Sequence, residues 1–355
     1  MTSLDIDQRA EPAKAGTGDP ILSVDNLTVE MRSRQGVGHA VSGVTFQVHR
    51  GETLGLVGES GSGKSLTASA ILQLLPKPIA HVTAGSITFD GSDLLTKNAD
   101  QMRRVRGRHI SMVLQDPLSA LNPVFTIGAQ LRDPLRLHTA LRGAGLTERA
   151  VELLQQMKIS QPRERLANYP HQFSGGMRQR VVGAIGIAAE PELLIADEPT
   201  TALDVTVQAA YLELLNELSK RTGMAMLFIT HDFGVVRSVC DRVAVMYAGM
   251  LAEVAPTKTI FNTPRHPYTR ALISAVPDIR RPTSELVTIG GSPPSIYDQP
   301  AGCRFRPRCW LYSQLGSPER CRTQVPSLSP VGPSSEVKAA CHFTDEAAVR
   351  TPTAT

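Results

Sequence analysis

The run Gly58-Glu59-Ser60-Gly61-Ser62-Gly63-Lys64-Ser65 limits the fold more than any other stretch of these 355 residues. It follows Thr53-Leu54-Gly55-Leu56-Val57, a short apolar run that reads as a buried strand, and it opens a segment of helical spacing. Glycines let a backbone bend until successive N–H groups converge on phosphate oxygens, and the N-terminus of the next helix adds favourable polarity. Gly58, Ser60, Gly61, Ser62 and Gly63 are therefore expected to cradle a nucleotide's phosphates. Lys64 is expected to reach the β- and γ-phosphates, and the Ser65 hydroxyl suits a magnesium ligand. The helix is predicted to run from Gly63 to Leu75, because Pro76 and Pro78 follow.

The flanking sequence fits an α/β fold. Leu22, Val24, Leu27 and Val29 suggest an early strand, as do Val44, Phe46 and Val48. Asp90-Gly91, after Ile87 and Phe89, marks a turn leaving an antiparallel strand. Residues 126–190 read as mostly helical, after which Leu193–Ala196 and Met226–Ile229 return to buried strands. The first of these delivers Asp197-Glu198 at its end, where α/β folds bind their ligands. Asp197 would hold Mg²⁺ through water, and Glu198 would polarise the attacking water as general base.

Between the loop and the acidic pair lies Phe173-Ser174-Gly175-Gly176-Met177-Arg178-Gln179-Arg180. Ser174 is a good helix N-cap, and the glycines let a phosphate approach the start of the helix. Gln115 lies upstream, Ala202-Leu203-Asp204 follows the carboxylates, and His231 ends a strand. In order and spacing this series resembles the ATP-binding-cassette (ABC) ATPases over roughly residues 22–255. The resemblance implies a P-loop NTPase cassette with a mixed sheet core, an antiparallel β subdomain and a helical signature subdomain at about 120–190. It also implies two cassettes paired head to tail. Ser174, Gly175 and Gly176 would then act on the partner's nucleotide, and Asp204 would couple the two sites. His231 would contact the γ-phosphate and orient the water, and Gln115 would sense the γ-phosphate and Mg²⁺. The family often has Leu and Gln where this chain has Phe173 and Met177. The aromatic that commonly stacks on adenine is missing between Glu30 and Val44, where His39 is the only ring.

Residues 1–20 read as a flexible leader with no secretory signal, and no apolar run is long enough to span a membrane. An ATPase of this kind needs a membrane partner to drive transport. The turn-rich stretch Gln115-Asp116-Pro117-Leu118-Ser119-Ala120-Leu121-Asn122-Pro123 could carry nucleotide state to that partner. Together with the signature run and Arg265-His266-Pro267-Tyr268-Thr269-Arg270-Ala271-Leu272, it resembles the dipeptide, oligopeptide and nickel importer branch. That branch implies a second, related ATPase subunit, two permeases and an extracytoplasmic binding protein, with the ATPases on the cytoplasmic face of the cell membrane. Nickel uptake is the alternative within the branch. A cassette ATPase acting on nucleic acid or the ribosome is the alternative outside it. The net charge of +4, from 37 basic and 33 acidic residues, argues against a nucleic-acid partner.

Residues 256–355 differ in composition from the cassette at 21–255. They hold more than half of the 25 prolines and four of the five cysteines: Cys303, Cys309, Cys321 and Cys341. A Pro-rich, weakly periodic segment cannot easily bury enough apolar area to hold itself together, and a metal would supply the missing cross-links. Four thiolates suit tetrahedral zinc or an iron–sulfur cluster, and the absence of paired Cys-x2-Cys knuckles leans towards the cluster. Gly302-Cys303-x-Phe305-x-Pro307-Arg308-Cys309 also resembles the extension of the peptide-importer ATPases, some of which hold a four-iron four-sulfur (4Fe-4S) cluster. Buried or disulfide-linked cysteines without metal are the remaining reading. Arg304, Arg306 and Arg308 could offset thiolate charge or form a solvated basic face. Cys240, beside Val239 in a helical pattern, reads as an inert core residue.

Overall fold

A computed structural model describes residues 18–201, 203–276, 289–333 and 335–352. Most of the expected leader, residues 1–17, therefore lies outside the described residues, as does Ala202. The strands are β1 (Pro20–Ser33), β2 (Gly36–His49), β3 (Thr53–Val57), β4 (Ala80–Phe89), β5 (Ser92–Asp93), β6 (Ile110–Val113), β7 (Leu193–Asp197), β8 (Ala225–Thr230), β9 (Arg242–Tyr247), β10 (Met250–Pro256), β11 (Ser329–Pro330) and β12 (Lys338–Ala339). They form two sheets. The smaller is antiparallel, in the order β2-β1-β4-β5, and the larger runs β11-β12-β10-β9-β3-β8-β7-β6.

Patterning explains the division. Every residue of β3, β7 and β8 is buried, as expected of parallel strands covered on both faces. β1 alternates instead, and its apolar phase slips by one between Val24 and Leu27. Asn26, at φ 47°, absorbs the extra residue where the register with β2 shifts, so both halves keep their apolar faces inward. Asp90 and Gly91, at φ 45° and 74°, make the two-residue turn between β4 and β5.

In the large sheet β6, β7, β8, β3 and β9 are mutually parallel. The carboxyl ends of four neighbours, β3, β8, β7 and β6, thus line one edge. Helices Ile127–His138, Ala144–Gln156 and Gly175–Ile187 pack beside that edge and bury Leu131, Leu135, Leu153, Leu154 and Val181. The helix after the phosphate loop spans Lys64–Ile71, shorter than the predicted run to Leu75. Gln73 takes the left-handed conformation at φ 50° and stops it before either proline is reached.

The C-terminal segment builds only a small core of its own, round Ala271, Trp310, Leu311 and Ala347, and takes the rest of its packing from the cassette. The β11–β12 hairpin extends the large sheet through β10, and Phe305, 2% exposed, belongs to the cassette's main apolar cluster. Its ring packs 5.2 Å from those of Tyr247 and Tyr268. A metal is therefore not the only tie holding this Pro-rich segment, because it borrows apolar surface from the cassette. Among the described residues no helix is long and apolar enough to cross a membrane.

Candidate nucleotide site

The phosphate loop leaves the end of β3 with Gly58 at φ 153° and Gly63 at φ 103°. A Cβ on Gly58 would stand 2.1 Å from the Met246 carbonyl oxygen, so no larger residue fits. Lys64 is buried and its Nζ donates to the carbonyls of Gly58 (2.7 Å) and Glu59 (2.9 Å). Burial lowers its pKa, against the pull of Glu198, Asp197 and Glu59. Ser65 Oγ donates to Asp197 Oδ1 at 3.0 Å, so the two expected magnesium ligands already touch. Burial raises the Asp197 pKa, and the Ser65 hydrogen bond opposes that shift.

Glu198 is the centre of the site. Its backbone takes φ 46°, unusual for a residue with a side chain, and its N–H donates to the Ile229 carbonyl at 2.9 Å. Its Oε2 accepts from Gln115 Nε2 at 2.8 Å and from Thr201 Oγ1 at 3.1 Å, while Oε1 lies 3.2 Å from His231 Nδ1. Gln115, Glu198 and His231 arrive from beyond β6, β7 and β8 and line one cleft with the phosphate loop and Lys64. Thr201 was not foreseen; its only sequence signal is the hydroxyl-rich Thr200-Thr201 just after the acidic pair.

The signature residues lie elsewhere. Ser174 is exposed and caps helix Gly175–Ile187, accepting from Met177 N at 3.3 Å. Gly175 faces open space, and a Cβ on Gly176 would stand 2.6 Å from Val207 Cγ1. Asp204 caps helix Val205–Thr222, accepting from Val207 N at 3.0 Å, so the two helix starts are packed together. Neither group lines this chain's own cleft. Phe173 is buried under Arg165, so the substituted aromatic does not face a phosphate.

The extension reaches the site at two places. Arg265 N and His266 N donate to the buried Glu253 carboxylate at 2.7 and 2.9 Å, which sets the start of helix Pro267–Ser274. Tyr268, on that helix, accepts the Glu59 N–H at its hydroxyl (3.0 Å). Arg308 grips the Glu59 carboxylate through two nitrogens, at 2.6 and 2.9 Å. At the β1–β2 hairpin, His39 N donates to the Ile296 carbonyl, and the Tyr297 ring covers Gly38, the cross-strand partner of Met31. An aromatic thus stands beside the stretch between Glu30 and Val44, which holds no Tyr, Phe or Trp. The turn-rich stretch beyond Gln115 leaves Leu118, Val124 and Phe125 exposed at 61, 71 and 54%.

Cys303, Cys309, Cys321 and Cys341 line one mostly apolar cavity with Leu311, Leu315 and Phe343. The donor type suits a metal, but the spacing does not. Among the described residues no group of three or more His, Cys, Asp or Glu side chains is placed to hold a metal ion, so the expected cluster is not borne out. Burial raises the pKa of all four thiols, that of Cys309 to about 12, which favours the neutral form. Arg304 and Arg308 turn to the cassette, to Ala248 O and Ser42 Oγ and to Glu59 respectively, and only Arg306 stays near Cys303 and Cys321. Cys240 is buried as expected.

Residues 41–201 match the ABC transporter family, and residues 252–314 match the oligopeptide/dipeptide transporter C-terminal region. The chain belongs to the ABC transporter ATPases. It is 46% identical over 329 residues to a probable peptide ABC transporter ATP-binding protein of Sinorhizobium fredii, covering 92% of this chain and 96% of the relative. It is 48% identical over 291 residues to the dipeptide transport ATP-binding protein DppD of Bacillus subtilis, covering 82% and 87%. The ATP-binding cassette MJ0796, solved as a dimer in a post-hydrolysis state with ADP and phosphate, is 26% identical. It superposes with a TM-score of 0.60, covering 66% of this chain and 98% of that one.

Proposed function

We propose that this ABC ATPase powers a membrane importer of short peptides, with residues 21–255 as the cassette and 256–355 as its extension. The observation that carries the enzymatic part is the Glu198 carboxylate, gathered with Gln115, Thr201 and His231 in the cleft that holds Lys64. Gly58 to Ser65 bind the phosphates of ATP. Ser65, Gln115 and Asp197 would hold Mg²⁺, which would neutralise charge on the phosphates. Glu198 takes the proton of the attacking water, and His231 orients it. Ser174, Gly175, Gly176 and Asp204 serve the nucleotide of a second cassette, consistent with their place outside this chain's cleft. Tyr297 supplies the flat surface for adenine beside Met31.

The relatives named above are named for peptides and dipeptides, which supports peptide over nickel as cargo. Exposed Leu118, Val124 and Phe125, next to Gln115, suit docking on a permease at the cytoplasmic face of the membrane. An extracytoplasmic receptor would then set selectivity. Purification from native membranes tests this reading: detergent-dependent recovery of two permeases and a second ATPase supports it, and recovery of ribosomes or nucleic acid overturns it. The four thiols share one cavity but are not placed to hold a metal, so a 4Fe-4S cluster, or in second place Zn²⁺, would require their side chains to draw together. Protein purified without oxygen and lacking both iron and zinc would sink that part alone.

A further inference from the structure

Glu59 is the one residue of the phosphate loop between Gly58 and Lys64 that is neither glycine nor serine, and three separate groups hold it. Lys64 Nζ donates to its carbonyl, its N–H donates to the Tyr268 hydroxyl, and Arg308 takes its carboxylate in a two-point fork. Two of these three holders belong to the segment beyond β10. Arg308 is itself fixed: its Nε donates to the Gly290 carbonyl at 2.8 Å, its guanidinium lies 5.8 Å from the centre of the Tyr247 ring, and its side chain is only 5% exposed. It closes the turn Arg306–Arg308, and the next residue is Cys309, on the wall of the thiol cavity.

We propose that Arg308 is a positioning residue for ATP, acting through Glu59, so that the extension is a strap on the phosphate loop. Two effects act in the same direction. The fork holds the Glu59 backbone where the loop's N–H groups converge, which reduces the ordering that a phosphate must impose on binding. It also neutralises a carboxylate that lines the nucleotide cleft and would otherwise repel the triphosphate. A planar, always-charged fork is suited to both tasks. Loss of packing round the thiols would move Arg308 and hence reach the nucleotide site without touching Lys64 or Glu198.

The test measures ATP affinity calorimetrically, and KM and kcat separately, on the full chain. Arg308→Ala is expected to weaken ATP binding and raise KM by about 5- to 30-fold, the size of a coupling of one to two kcal/mol. The effect on kcat should be smaller than that on KM. Adding Glu59→Gln to Arg308→Ala removes the exposed carboxylate, and the double variant is expected to bind ATP more tightly than Arg308→Ala alone. A purely structural role for Arg308 predicts no such recovery. Wild-type affinity in Arg308→Ala overturns the proposal, as does a double variant that binds no better than the single one. Should Arg308→Ala fail to fold, Arg308→Gln, which keeps the stem of the side chain, is read by the same two criteria.

Discussion

Glu253 shows how a buried charge ties the pH dependence of stability to the architecture of the extension. Its carboxylate is fully buried on β10 and accepts the N–H groups of Arg265 and His266. Burial, only partly offset by these hydrogen bonds, raises its pKa from the ordinary 4.5 to about 7. The folded chain therefore binds a proton between pH 4.5 and 7 that the unfolded chain has released. Stability from this group is fully present below 4.5 and is lost as pH rises to about 7. At about 1.4 kcal/mol per pH unit, the whole interval is worth about 3 kcal/mol. Glu253→Gln cannot titrate, and it carries a constant offset because its amide meets two N–H donors with one acceptor oxygen. The stability difference, wild type minus Glu253→Gln, should therefore fall by about 3 kcal/mol between pH 4.5 and 7 and stay flat above. His266, whose pKa burial lowers to about 3, is present in both chains and cancels in the difference. Parallel denaturation curves measured at half-unit pH steps provide the assay. A difference that does not change across this interval would refute the argument that Glu253 is held protonated by burial.

Four further outcomes follow from the same geometry. Glu198→Gln should lower ATP turnover about 10²- to 10⁴-fold in a steady-state phosphate-release assay while ATP binding persists, since only the proposed base is removed. Thr201→Val removes one donor to Glu198, and kcat should drop on the order of tenfold with KM little changed. Phe305→Ala empties the aromatic cluster with Tyr247 and Tyr268 and should cost about 3–5 kcal/mol, seen as a lower melting temperature and faster proteolysis beyond β10. Tyr297→Ala should raise KM for ATP several-fold, roughly the loss of one aromatic contact, and raise KM for a nucleotide with a different base less.

Much of the site was legible because its chemistry is local in sequence. The phosphate loop needs glycines at fixed offsets between one strand and one helix, and Gly58 to Ser65 carry that requirement unaided. Asp197 and Glu198 are marked by the apolar strand that ends at them, and Ser174 by its capping position before two glycines. Thr201 was missed because a hydroxyl in a loop has no distinctive spacing. The helix end at Ile71 rather than Leu75 was missed because one left-handed residue, Gln73, overrides a proline stop further on.

Sequence alone thus marked the loop and strand-end residues that gather in one cleft, since their placement follows from backbone conformation and strand ends. It also marked the C-terminal hundred residues as different in composition, but it suggested a module that a metal would have to hold together. Only the tertiary structure decided that this segment shares the cassette's core through Phe305 and extends its sheet through β12. Glu59 and Arg308 are 249 positions apart and meet as a forked ion pair. A contact of that separation leaves no periodicity or local spacing to read, because it depends on how whole elements pack and not on how a segment folds.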